Sequence, residues 1–157
     1  MTRRAYEYAL GLLSARSYTS RNLRRKLIQK AFPPDEVEET MERLVGARLL
    51  DDKQYARDYA RQKLVTGGAS VRRVEQDLFR RGVSGDEIRA AITAVMEEEE
   101  VDVVRSIDVA ARKKLASMNE LGAEVKRRRL FGFLARGGFE TSSILRVIEE
   151  IMPARDG

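Results

Sequence analysis

Apolar residues recur three to four apart over much of the chain: Leu23 and Leu27, Val37 and Met41, Val74 and Leu78, Ile88 and Ile92, Leu130 and Leu134, Ile144 and Ile148. That spacing puts each set on one side of an α-helix and leaves the opposite side to polar residues. The ends of these segments carry helix punctuation. Thr19 and Ser70 stand as N-caps, Ser84 with Glu87 three residues later forms a capping box, and Pro34 suits a first helical turn. Breaks are predicted at Phe32-Pro33, Thr66-Gly67-Gly68, Arg81-Gly82 and Gly137-Gly138.

The pattern itself is repeated. A shift of 51 aligns residues 5–44 with 56–95 without a gap: Ala5, Tyr8, Ala9 and Leu13 meet Ala56, Tyr59, Ala60 and Leu64, and Arg21, Leu27, Asp35 and Glu36 meet Arg72, Leu78, Asp86 and Glu87. At a shift of 107, Arg128, Leu130, Leu134, Phe139, Ile144 and Ile148 stand where Arg21, Leu23, Leu27, Phe32, Val37 and Met41 stood. Only the first helix of this third copy, near 99–118, needs extra residues to fit. The expected architecture is all-α: a tandem array of three three-helix repeats (1–50, 51–97 and 98–157) forming an elongated, curved molecule. Two helix diameters per unit make the array roughly 60 Å long.

Composition supports helix and removes much chemistry. Leu, Ala, Glu, Arg and Lys dominate, aromatics are 6% and Trp is absent. Without Cys or His there is no disulfide, thiolate nucleophile, Ser-His triad or His/Cys metal site. No phosphate-loop pattern occurs, and the Gly pairs fall in helix breaks. Asp51-Asp52 resembles a carboxylate pair for a metal, but Gln54 three after Asp51 marks a cap. Neither catalysis nor a cofactor nor a metal is expected. Glu7 interrupts the N-terminal apolar run, no segment is long enough for a membrane span, and a cytoplasmic monomer is the expectation.

Charge changes the picture more than composition does. The formal balance is 30 basic to 25 acidic residues, net +5 with pI near 9.7. This suits a polyanionic partner without requiring one. Its distribution is uneven. SRNLRRKLIQK (20–30) has five bases and no acid, SVRRVEQDLFRR and EVKRRRLFGFLAR resemble it, whereas PDEVEETMER carries five acids and one base. At about 100° per residue, Arg21 and Arg25 lie opposite Leu23 and Leu27, with Arg24 and Lys26 flanking. Arg21, Arg72 and Arg128 hold one place in all three copies, and Arg73 and Arg129 the next. Such bases commonly just solvate a helix and pair with Glu. Three aligned copies, with no packing reason for Arg, favour a binding surface: Arg21, Arg24, Arg25, Lys26, Arg72, Arg73, Lys126, Arg127, Arg128 and Arg129. Glu97 to Glu100 reads as a solvated helix extension, and Tyr8, Tyr59, Phe131, Phe133 and Phe139 as core rather than base-stacking residues.

LLDDKQYARDYARQKLVTGGASVRRVEQDLFRRGV (49–83), with LLSARSYTSRNLRRKL before it and RRRLFGFLARGGF after it, resembles the RecX family of regulators of the bacterial recombinase RecA. The likeness covers nearly the whole chain. One departure is Gly137, where the family pattern has a second base before Gly-Phe. The resemblance implies a non-enzymatic protein that lies in the groove of RecA filaments on DNA, restrains recombination, and in some relatives binds single- or double-stranded DNA itself. Two other readings fit the residues: an independent helix-turn-helix-like DNA binder, though the outward faces lack the Asn/Gln/Arg mixture of base readout, and a helical scaffold for proteins only.

Overall fold

A computed structural model describes residues 3–66, 68–100 and 103–154. Among the described residues there are nine α-helices and no strand: α1 (Arg3–Ala15), α2 (Ser20–Gln29), α3 (Pro34–Gly46), α4 (Asp52–Arg61), α5 (Val71–Arg80), α6 (Gly85–Glu98), α7 (Val103–Ala116), α8 (Ala123–Arg136) and α9 (Thr141–Ile151). A single π-helical turn, Gln62–Thr66, prolongs α4. The starts of these helices follow from side-chain chemistry. Thr19, Asp51, Ser70 and Ser84 accept from the backbone N–H groups of Asn22, Gln54, Arg73 and Glu87, and Pro34 fills the first position of α3. Each such cap contributes about 1 kcal/mol. Of the expected break at Thr66-Gly67-Gly68, Gly67 lies outside the described residues.

The apolar residues gather in three clusters, one under α1–α3, one under α4–α6 and one under α7–α9. Aligned residues are buried alike: Leu23, Val74 and Leu130, then Leu27, Leu78 and Leu134, are all 0% exposed. Ala9, Ala60 and Ala111 are also 0% exposed, so α7 keeps the shift of 51 from α4. Leu78 to Leu134 spans 56 positions, so the additional residues that the third copy needs lie between α7 and α8.

Neighbouring units meet through their second helices. The hydroxyl of Thr19, itself fully buried, donates to the carbonyl of Arg81 (2.6 Å), and the Ser20 N–H donates to Asp52 Oδ1 (2.8 Å). At the aligned place in the next pair of units, the Ser70 N–H donates to the carbonyl of Gly137 (2.9 Å). Thus the N-terminus of α2 abuts the C-terminus of α5, and the N-terminus of α5 abuts the C-terminus of α8. Three helices of 10, 10 and 14 residues follow one another end to end. At 1.5 Å per residue they provide roughly 50 Å of helix.

Two glycines permit these contacts. Gly82 and Gly138 both have φ +88°, and a Cβ on Gly82 would lie 2.3 Å from Arg21 Cδ, one on Gly138 2.7 Å from Arg73 Cβ. The aligned residue of the first unit is Ala31, with φ 65°, exposed at the far end of α2. The left-handed backbone is common to all three; close approach is confined to the two junctions.

Candidate nucleic-acid interface: a rail of second helices

The predicted bases sit on α2, α5 and α8, the helices that abut. Arg21, Arg25, Lys26, Arg72, Arg128 and Arg129 are exposed and make no ion pair with another described residue. The other four are engaged or half-buried. Arg24 pairs with Glu38 (3.1 Å) and Arg73 with Asp77 (3.2 Å), Arg127 donates to the carbonyl of Met152, and Lys126 is half-buried. The Arg24–Glu38 pair is open to solvent on both sides, and exposed pairs of this kind contribute only about 0–1 kcal/mol and exchange readily.

One sequence expectation needs correction: Arg21 does have a packing reason. Its stem lies over Gly82, closing the first junction. Its position also answers an electrostatic problem. The first turns of α2 and α5 contain bases and no acid, an unfavourable arrangement against the positive end of a helix dipole. Because each of these N-termini abuts a C-terminus, the neighbour's terminal carbonyls supply compensating negative charge beside Arg21 and Arg73. Glu97–Glu100 is likewise more than a solvated extension, since Arg61 grips Glu98 (3.0 Å) and Glu99 (3.1 Å), tying the end of α6 to α4.

At its α8 end the rail is concave. Lys114, Arg128, Arg129 and Arg136, together with Ser117, Asn119 and one acid, Glu120, line a cleft of about 950 Å³ between α7 and α8. Arg136 and Lys114 were not singled out from sequence. Arg136 lies seven residues beyond Arg129, a two-turn repeat on the same face that could have revealed it. Lys114 comes from another helix, over the Phe133 ring at 5.1 Å, and no one-dimensional pattern links them. Arg80, also missed, lies seven beyond Arg73, is 67% exposed and stands 3.9 Å from Asp77.

Tyr8 and Tyr59 pack half-buried against their cores, as read from sequence. Lys30 sits over the Tyr8 ring at 5.5 Å, and Arg81 over Tyr59 at 4.4 Å. The Tyr59 hydroxyl donates to Asp77 (2.8 Å). Burial, then this bond, pushes its pKa up to about 12. Burial pulls the Arg81 guanidinium down, but its hydrogen bond to the Tyr55 hydroxyl and the charges of Tyr55, Tyr59 and Asp77 together outweigh that and raise it, so it stays charged. Phe131, Phe133 and Phe139 pack against the third core. Among the described residues, no group of three or more Asp or Glu side chains gathers for a metal, and no helix is long and apolar enough to cross a membrane.

Comparison with known proteins matches these elements. Residues 5–44 fit the family model "RecX, first three-helix domain" and residues 51–92 fit "RecX, second three-helix domain". Proteins named regulatory protein RecX from Mycobacterium sp. (strain KMS) and Trichlorobacter lovleyi are 33% and 32% identical to it, over 92% of this chain in both cases and over 79% and 94% of theirs. The crystal structure of RecX from Lactobacillus salivarius superposes with a TM-score of 0.67 over 96% of both chains at 21% identity, a likeness of fold. The junction geometry also accounts for the departure at Gly137, where a Cβ would lie 2.7 Å from the carbonyl oxygen of Gly68. With two consecutive three-helix models matched and a third of its residues shared across most of a relative's length, the chain belongs to the RecX family.

Proposed function

We propose that this protein is a non-catalytic regulator that binds RecA nucleoprotein filaments, and the DNA within them, through the rail of α2, α5 and α8, and so restrains the recombinase. The observation that carries this reading is the end-to-end abutment of those three helices, which places six exposed, unpaired cations on one succession of elements. A filament repeats its phosphates and protein surfaces along a groove. Several weak contacts made together by one rigid body add to a useful affinity, whereas any single arginine would be displaced by salt. The regulatory names of the relatives agree with this reading. The N-termini of α2 and α5 are closed by their neighbours, which speaks against inserting those helix ends into a duplex groove in helix-turn-helix fashion.

The test follows RecA filament length on single-stranded DNA with and without the protein, over a range of salt. Arg21→Ala, Arg72→Ala and Arg128→Ala combined should abolish most of the inhibition and flatten the salt dependence of binding by about one unit for each phosphate no longer neutralised. Unchanged inhibition with an unchanged salt slope would place the interface elsewhere.

A further inference from the structure

The rail is not uniformly charged. Eight large apolar residues are exposed among those described, and only two fall at matching places in the repeat: Ile28 on α2 (59% exposed) and Phe79 on α5 (71% exposed). Phe79 is the most exposed of the eight. Along α5 it follows Arg72 by seven residues, two helical turns, and so shares its face; Arg80 is adjacent in sequence, and Arg21 stands across the junction over Gly82. Glu75, one turn before Phe79, is an exposed acid on this side, while the remaining acid of α5, Asp77, is held by Arg73 and Tyr59 and, at 3.9 Å, by the exposed Arg80. From α8 through α5 to α2 the outward side chains therefore run as cations, an aromatic ring, cations again, then an aliphatic tip.

We infer that Phe79 is a base-stacking contact, with Ile28 as its weaker counterpart, and that the strand held on the rail is single-stranded, with unstacked bases turned toward the protein. This deepens the proposed function and rests on it. An exposed ring set between Arg72 and Arg80 suits a strand that offers a flat π-face and a phosphate in turn. A duplex keeps its base faces inside the stack and would leave Phe79 in water. A protein partner would seat such an anchor within a patch of apolar neighbours that excludes solvent, whereas the side of α5 that bears Phe79 carries the exposed Arg72, Glu75 and Arg80.

Binding of the full protein to three probes decides the matter: an ordinary single strand, an abasic single strand of equal length and charge, and a duplex. Phe79→Ala should weaken binding to the ordinary strand roughly 5- to 100-fold, as removal of one stacking platform does. It should leave the abasic strand, the duplex and the salt slope unchanged. Phe79→Trp should restore affinity, and its fluorescence should be quenched by the ordinary strand only. Equal weakening on the abasic strand, or no weakening on the ordinary strand, overturns the inference while leaving the rail intact. Failure of the unaltered protein to bind any of the three probes overturns the inference alone if the protein still shortens RecA filaments, and the proposed function with it if it does not.

Discussion

The two junctions of the array perform one task with different atoms. Between the first two units the contact belongs to side chains: the Thr19 hydroxyl crosses to Arg81, Asp52 receives the Ser20 N–H, and the Arg21 stem covers Gly82. Between the second and third, backbone approaches backbone. The Ser70 N–H crosses to Gly137, and Gly68 passes so close to the third unit that a Cβ on it would meet Ala110 Cβ at 3.2 Å and the Phe133 ring at 3.3 Å. Small residues make room for this. Ala110 precedes buried Ala111 as Tyr59 precedes buried Ala60, and Gly137 stands where Arg81 stands, so the third unit lacks the tyrosine–arginine pair of the second. A side-chain junction can yield by changing rotamer; a backbone junction cannot.

The largest test of this difference is the pair Gly138→Ala and Gly82→Ala. Both substitutions force Ala into φ +88° against an arginine Cβ, that of Arg21 at 2.6 Å and that of Arg73 at 2.7 Å, but at 138 the Arg73 Cα at 3.4 Å and the capping Ser70 Oγ at 2.6 Å are met as well. Gly138→Ala should cost about 3 kcal/mol in denaturant unfolding, with Gly82→Ala costing less. The hydroxyl caps come next. Thr19 both caps α2 and bridges units, while Ser70 Oγ caps α5 and leaves the bridging to its N–H. Thr19→Ala should therefore lose about 2 kcal/mol and Ser70→Ala about 1 kcal/mol in the same assay; equal losses would contradict the contrast.

Two smaller effects sharpen it. Ala31→Gly, at the far end of α2, should gain about 1 kcal/mol, because the left-handed backbone remains while the side chain lost is an exposed one. The Tyr59 hydroxyl, raised from 10.0 to about 12, favours the folded state in its protonated form. Its contribution is complete below about pH 10, where tyrosine in the unfolded chain ionises, and is lost as the pH rises toward 12. An alkaline titration followed by tyrosinate absorbance should show one late-ionising residue, absent in Tyr59→Phe.

The helices and their repetition were legible because they are written locally. Caps at Thr19, Asp51, Ser70 and Ser84 act within three residues, and the buried leucines obey a short period. The outward direction of Arg21, Arg25, Lys26, Arg72, Arg128 and Arg129 follows from that same period. What could not be read is what meets across the junctions. Nothing local tells that Arg21 covers a glycine 61 positions away, that Arg127 turns to the Met152 carbonyl, or that Lys114 joins Arg128 around one cleft. The glycine at 82 looked like an ordinary helix stop, which it is; that it also receives a neighbour needs three dimensions to see.

Because α8, α5 and α2 all point the same way, the protein has a front and a back along its length. Reversing it on a partner whose own two directions differ, as those of a nucleic-acid strand do, would exchange every contact for a different one. Orientation is thus built into the backbone before any side chain is chosen.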